Sequence, residues 1–156
     1  MQIKNTSIND LYPVIAQLLE NQDVKLIIKG NSMYPLLRSN VDSVVLTKKN
    51  KIKKYDVLFY KRENGEYIIH RLIGKKDNAF SMAGDFETEL EYPIYEHQVI
   101  AVIRSFYRGK KHISCSNLLY KAYSFLWVML FPNRSLIIAA IKKARYALQN
   151  KRWKLL

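Results

Sequence analysis

The chain has 156 residues, 49% of them hydrophobic and 25% charged, which is enough for one folded domain and too apolar for intrinsic disorder. Charged residues are too widely spread for a protein embedded wholly in a membrane. Cys115 is the only cysteine, which excludes an intramolecular disulfide, and its surroundings show no metal-ligand spacing.

The net charge of +13 is distributed unevenly along the chain. All 13 acidic residues lie at or before Glu96, whereas the segment from His97 onward carries 12 Lys or Arg and no acid. Such asymmetry is typical of a protein whose one end binds an anionic partner: a membrane surface, a nucleic acid or another protein.

The N-terminal segment predicts an amphipathic helix. Leu11, Val14, Ile15, Leu18 and Leu19 recur at i, i+3, i+4, i+7 and i+8, which places them in one apolar stripe. We expect this helix to pack on the core. The opening residues lack a basic start followed by an apolar stretch, so we expect no secretory signal there.

A predominantly β region follows. Five β-branched and aromatic runs, separated by polar turns, predict strands: "VKLIIK", "DSVVLTK", "YDVLFYKR", "EYIIHRLIG" and "VIAVIRSFYR". Asn64-Gly65 between two of these runs predicts a hairpin. The predicted fold class is mainly β: a twisted, partly closed β-domain with its N-terminal helix over residues 1–109, followed by a helical segment over residues 110–156.

The C-terminal segment is first apolar and then basic. Its uncharged stretch, 122–131, is only ten residues long, whereas a membrane-spanning helix needs about 20 apolar residues. We therefore predict two short helices hinged at Pro132, followed by a basic helical stretch. We expect 118–156 to lie on an anionic membrane surface. A helical hairpin packed on the β-domain is the alternative, and a nucleic acid is the less favoured partner.

Ser32 lies in "KGNSMYPLL", directly after the first predicted strand. The simplest interpretation is a strand that ends in a turn, but a serine mounted at a strand end could also be a nucleophile. A serine nucleophile needs a base within hydrogen-bond reach. His97 and His112 lie in polar contexts, whereas His70 ends the apolar run "EYIIH" and is the candidate base, with a structural histidine as the alternative.

A carboxylate that orients the imidazole would complete a catalytic arrangement. Asp85 follows Gly84 in "MAGDFETELE", so the order along the chain is Ser32, His70, Asp85. A Gly-Asp pair alone also commonly marks a turn, and the combination carries more weight than any one residue.

In this order, "GNSMYPLL", "YDVLFY", "IIHRLIG" and "AGD" resemble the boxes of the signal peptidase superfamily of serine endopeptidases, which also contains self-cleaving repressors. The resemblance covers about Val24 to Ile103. The histidine before Arg71 is similar to the endoplasmic-reticulum and archaeal type of signal peptidase, since the bacterial type and the repressors use lysine there. An all-β catalytic core is what the resemblance implies.

By the same resemblance, Ser32 corresponds to the nucleophile, His70 to the general base and Asp85 to the Gly-Asp box, with Glu91 as a second acid that could orient His70. The residues beside the serine, Gly30, Asn31 and Met33, are expected to contact the substrate. That substrate would be an extended peptide, such as the leader or signal peptide of a preprotein. No metal and no cofactor are expected.

The predicted protein is thus a serine endopeptidase that cleaves leader or signal peptides. We expect it to be membrane-associated in a peripheral or monotopic manner, with the basic C-terminus on the cytoplasmic side. Two alternatives stay open. One is a repressor-like protein that cleaves itself, and the other is a non-enzymatic β-domain docked to a membrane, with a vestigial Ser-His pair.

Overall fold

A computed structural model describes residues 8–48 and 51–153, with side chains described for 11–48 and 51–148. Its strands form one antiparallel sheet in the order β1-β2-β7-β3-β4-β5-β6, with β8 paired to β7. The strand bounds are β1 Val24–Ile27, β2 Ser43–Thr47, β3 Val57–Lys61, β4 Tyr67–Lys76, β5 Ala79–Ala83, β6 Glu91–Tyr95, β7 Val99–Arg108 and β8 Lys111–Ser114. The sheet is not closed, since β1 and β6 end it without pairing to each other in the described chain. The prediction of a β-rich fold flanked by helices is confirmed, and the prediction that the β-domain is partly closed is wrong, because its end strands do not pair with each other within the residues described.

All five predicted strands are present, and so is the predicted hairpin. Between β3 and β4, Gly65 has a φ of 91°, and the N–H of Arg62 donates to the Glu66 carbonyl at 2.8 Å. Three further strands were not predicted, namely β5, β6 and β8. β6 contains Pro93, which argues against a strand in sequence but is tolerated here because β6 is at the edge of the sheet.

Successive residues of β4 face two different layers. On one side, Ile68 and Leu72 pack in a cluster with Tyr60 and Phe80. On the other, Ile69 packs against the larger core cluster, which also receives side chains from the N-terminal and C-terminal helices. The period of two along a strand therefore separates His70 from the adjacent Arg71, which contact different layers of the fold.

The N-terminal helix α1 spans Ile8–Leu19, and fewer of its residues are buried than its apolar stripe predicts. Ile15 and Leu19 are buried, whereas Leu11, Val14 and Leu18 stay exposed. Burial of one i, i+4 pair is enough to dock the helix, so the stripe overestimates the buried face.

The C-terminal helices are α2 (Leu118–Met129) and α3 (Arg134–Trp153), joined by a short 3-10 turn at Phe131–Asn133. The predicted hinge at Pro132 is confirmed, with a bend of 61° between the two helices. The second apolar stretch and the basic stretch form one continuous helix. Among the described residues, neither helix alone has the length and apolar composition to cross a bilayer, and only the bent pair together meets that criterion.

A buried ion pair fastens α2 to the sheet. Arg71 on β4 donates from Nε and Nη2 to the two carboxylate oxygens of Asp85, each at 2.8 Å, and neither side chain is exposed. Arg71 Nη1 also donates to Ser124 Oγ at 2.8 Å, and Tyr123 Oη donates to Asp85. Breaking such a pair by removing one partner typically costs about 3–5 kcal/mol, because the other charge is left buried and unpaired.

Candidate active site

Ser32 lies in a turn that the core holds in place. The turn follows β1, and its N–H-to-carbonyl bonds are Tyr34 to Asn31 at 3.1 Å and Leu37 to Met33 at 2.9 Å. Met33, Leu36 and Leu37 are all buried in the main core cluster. Ser32 itself is half-buried. Apolar anchors directly after the serine therefore fix the backbone from which its hydroxyl projects.

The Ser32 turn touches the segment that joins β5 to β6. The carbonyl of Ser32 accepts a hydrogen bond from the Phe86 N–H at 2.7 Å. A Cβ on Gly84 would lie 2.5 Å from the Ser32 carbonyl oxygen and 2.9 Å from Ser32 Cβ. Glycine is required at position 84 because the backbone of the serine turn occupies the space of a side chain.

His70 is buried on β4, and its Nδ1 faces a tyrosine and a carboxylate. Nδ1 is 3.3 Å from Tyr60 Oη and 3.7 Å from Glu91 Oε2. Tyr60 Oη donates its own proton to Glu91 Oε2 at 2.7 Å. Since that proton is committed, the Tyr60 oxygen can only accept from Nδ1–H. This network assigns the neutral tautomer with the proton on Nδ1 and a lone pair on Nε2.

Glu91 is held ionised beside the ring. Arg62 donates to both of its carboxylate oxygens, from Nε at 2.6 Å and from Nη2 at 2.7 Å. Burial by itself would raise the pKa of Glu91, but the hydrogen bonds from Arg62 and Tyr60 outweigh it and hold that pKa below its usual range. The ionised Glu91 is thus placed to stabilise an imidazolium at His70.

Burial lowers the pKa of His70 below its ordinary value, and the nearby carboxylates of Glu87 and Glu91 oppose that shift without cancelling it. The ring is therefore neutral at pH 7 and can accept a proton at Nε2. A neutral imidazole with an ionised carboxylate behind it is the arrangement that general-base catalysis needs.

The Glu87 carboxylate lies close to both the His70 ring and the serine turn. Its Oε1 is 3.5 Å from His70 Nε2, and its Oε2 accepts the Gly84 N–H at 3.0 Å. Its Cδ is 2.9 Å from the position that a Cβ on Gly84 would take, the same distance as Ser32 Cβ. Among the described side chains no hydrogen bond joins Ser32 to His70. Glu87 is 40% exposed, so it has room to rotate into solvent.

A cleft of about 440 Å³ opens beside this carboxylate. One wall is the 86–91 segment, including Glu87 and Glu91, and the other is α3, through Ile138 and Lys142. Glu87 and Glu91, the carboxylates beside His70, are therefore accessible from the surface between the β5–β6 connection and α3.

Asp85 occupies a different place from the one expected. Its carboxylate is bonded to Arg71 and Tyr123, and its backbone carbonyl accepts from Trp127 Nε1 at 3.1 Å. The carboxylates that contact the His70 ring are those of Glu87 and Glu91. Asp85 is therefore not placed to orient His70, because the neighbouring arginine binds both of its oxygens, and Glu91 is the carboxylate beside Nδ1.

The residues beside the serine differ in how far they reach the surface. Gly30, with a φ of 89°, and Asn31 are both exposed, and the Gly30 N–H donates to Ser39 Oγ at 3.0 Å. Met33 is 2% exposed, and its side chain packs in the core. Its side chain therefore anchors the turn and does not reach a substrate at the surface.

Sequence reasoning missed Tyr60, Arg62 and Glu87. Tyr60 is on β3, two residues from the register partner of His70, and Arg62 follows β3; their approach to His70 and Glu91 could not be read without the strand pairing. Glu87 stood in a run of acids whose members look alike in sequence. In the described part of the chain, no three His, Cys, Asp or Glu side chains form a group that could hold a metal ion.

Comparison with other proteins gives no family for this chain. No protein-family model, no curated protein and no solved structure matches it. The site is therefore interpreted from its own geometry.

We expect Gly84→Ala to disturb the serine turn. The added methyl group would overlap the Ser32 carbonyl, and overpacking of this kind costs about 1–3 kcal/mol. Urea unfolding should show the loss. Gly74→Ala is the matched control because no atom lies within 4 Å of its Cβ position, so a change within about 0.5 kcal/mol is expected there. Equal effects of the two substitutions would contradict the close approach at Gly84.

We expect the free energy of unfolding to decrease as the pH falls below 6.5, the ordinary pKa of histidine. The folded pKa of His70 is lower than that of the unfolded chain, so between those two values the unfolded state binds more protons. His70→Gln should make this slope shallower in pH-dependent urea denaturation. His97→Gln, at an exposed histidine, should not change it. Parallel slopes for wild type and His70→Gln would show that His70 is not held neutral by burial.

Proposed function

We propose that this chain is a serine endopeptidase of the signal-peptidase type, with Ser32 as nucleophile, His70 as general base and Glu91 orienting the base. The observation that carries the proposal is the position of His70 Nδ1, which lies 3.3 Å from Tyr60 Oη and 3.7 Å from Glu91 Oε2. With the proton placed on Nδ1, Nε2 is left to accept a proton once the Glu87 carboxylate, now 3.5 Å away, has moved.

The proposed reaction uses these side chains in sequence. Once Glu87 has rotated out, Ser32 Oγ attacks the peptide carbonyl carbon while its proton passes to His70 Nε2. The imidazolium then returns that proton to the leaving amine, and a water molecule hydrolyses the acyl-enzyme by the same path in reverse. Backbone N–H groups, such as that of Ser32, are the candidates to bind the oxyanion.

Free strand edges favour an extended peptide as substrate. β1 leads directly to the Ser32 turn, β6 begins at Glu91, and each is an end strand of the sheet as described. An extended chain can add its own hydrogen bonds to such an edge, and the side chains of alternate residues then enter pockets. The cleft between the 86–91 segment and α3 is placed to receive one of those side chains.

The C-terminal helices support a place on an anionic membrane surface. Six of the seven exposed residues of α2 are apolar, although a solvent-facing helix surface is normally polar. Lys142, Lys143 and Arg145 are exposed on α3, and no acidic residue follows Glu96 in the sequence. An apolar face next to uncompensated positive charge fits the interface of a bilayer that contains anionic lipid.

We expect purified wild-type protein to cleave leader-peptide substrates and Ser32→Ala to lower turnover by several orders of magnitude. His70→Gln should have a similar effect, and Glu91→Gln a smaller one. Ser81→Ala, at a half-buried serine on β5, is the matched control and should keep wild-type activity. Cleavage fragments are measured by mass spectrometry. Equal cleavage by wild type and Ser32→Ala would end the proposal, and an intramolecular cut in the protein incubated alone would favour self-cleavage.

We expect the protein to float with vesicles that contain phosphatidylglycerol and less with neutral phosphatidylcholine vesicles. Leu126 and Met129 are 56% and 61% exposed on α2, so the double substitution Leu126→Asp, Met129→Asp should abolish flotation. Val14→Asp is the control, since Val14 is an equally exposed apolar residue on α1. Flotation of the double variant at the wild-type level would show that α2 is not the docking face.

A further inference from the structure

Arg134, the first residue of α3, is fully buried without an acidic partner. Its Nη1 donates to the carbonyls of Gly84 at 2.9 Å and Glu87 at 3.3 Å, and its Nη2 donates to that of Trp127 at 2.9 Å. Its Nε has no hydrogen-bond partner among the described groups. No described carboxylate lies within ion-pair distance of the guanidinium.

A buried arginine with this set of partners is costly for the fold. Withdrawing the guanidinium from water costs several kcal/mol, and carbonyl dipoles return less of that than a carboxylate would. Burial lowers the pKa of Arg134, in contrast to Arg71, whose pKa is raised by its acidic partner Asp85 against the opposing effect of burial. The aromatic rings of Trp127 and Phe131, whose centroids lie 5.3 and 4.6 Å from the guanidinium carbon, supply part of the compensation.

The carbonyls that Arg134 binds belong to the segment that shapes the candidate site. In the Gly84–Glu87 turn, the Phe86 N–H bonds the Ser32 carbonyl, and the Glu87 carboxylate faces His70 Nε2. Trp127 takes a third carbonyl of the same turn, that of Asp85. The helix pair thus binds three of the four carbonyls of the turn.

Helix α3 also contacts the aromatic side chains on both sides of the site. Lys142 Nζ is 5.7 Å from the centre of the Phe86 ring, and the Arg145 guanidinium is 4.8 Å from that of Tyr34. The two rings meet edge to face at 5.4 Å. Helix α3 therefore contacts the serine turn as well as the Gly84–Glu87 turn.

We infer that Arg134 is a positioning residue: it holds the Gly84–Glu87 turn against the Ser32 turn and beside the His70 ring, and so couples the C-terminal helix pair to the candidate active site. The inference rests on the proposed peptidase function. Only the planar guanidinium reaches carbonyls on the turn and on α2 at once, because its donors have a fixed fork geometry.

The test is Arg134→Lys in the full chain, which keeps the charge but loses the fork. Loss of two hydrogen bonds to the turn should raise amide exchange in 84–87 by about tenfold or more, while exchange in β3 stays unchanged. The value of kcat on leader peptides should decrease about tenfold or more, with KM changing less. Arg104→Lys is the matched control, because Arg104 forms an exposed ion pair with Asp23.

The outcomes separate the inference from the function on which it rests. Unchanged exchange in 84–87, or a rise that is equal in 84–87 and in β3, would overturn the inference, since the second result means a general loss of stability. Exchange that rises in 84–87 together with an unchanged kcat would overturn it as well. If Ser32→Ala cleaves as fast as wild type, the proposed function fails, and the exchange measurement still decides whether Arg134 holds the turn.

Discussion

The ion pair between Arg71 and Asp85 fixes the geometry on which the candidate site depends. Each partner is the immediate neighbour of a site residue, since His70 precedes Arg71 and Gly84 precedes Asp85. The two 2.8 Å hydrogen bonds between these charges therefore fix the position of the β5–β6 connection relative to β4. Because the pair is inaccessible to water, a displacement of either partner would leave a buried charge without compensation.

His70 and Arg71 are neighbours in sequence but contact different parts of the fold. Along β4, His70 contacts Tyr60 and Glu91 on one side of the sheet, and Arg71 contacts Asp85 and α2 on the other. One face of β4 carries the titratable ring of His70, and the other carries Arg71, which binds helix α2. A His-Arg dipeptide on a strand can place a proton acceptor and a structural cation a few ångströms apart without putting them in contact.

Much of the architecture could be predicted from local patterns. The Asn64-Gly65 turn, the break at Pro132 and the five β-branched and aromatic runs are set by residues close in sequence, and the structure has a hairpin, a bend and strands at these places. Ser32 and His70 were also found as candidates. Glu91 was named as well, but Tyr60, Arg62 and the partners of Asp85 were not, because their positions depend on long-range strand pairing, which periodicity does not contain. β6 was hidden by Pro93, and Arg134 looked in sequence like a solvent-exposed charge at the Pro132 hinge.

A single helix, α2, covers the Arg71–Asp85 ion pair. Tyr120 and Ser124 on its inner side contact Arg71, and Phe125 and Met129 lie on its outer side. A helix with its side chains is about 10 Å across. A molecule bound at the outer face of α2 would therefore lie within about 10 Å of the buried Arg71–Asp85 pair, close enough for a displacement of the helix to reach it.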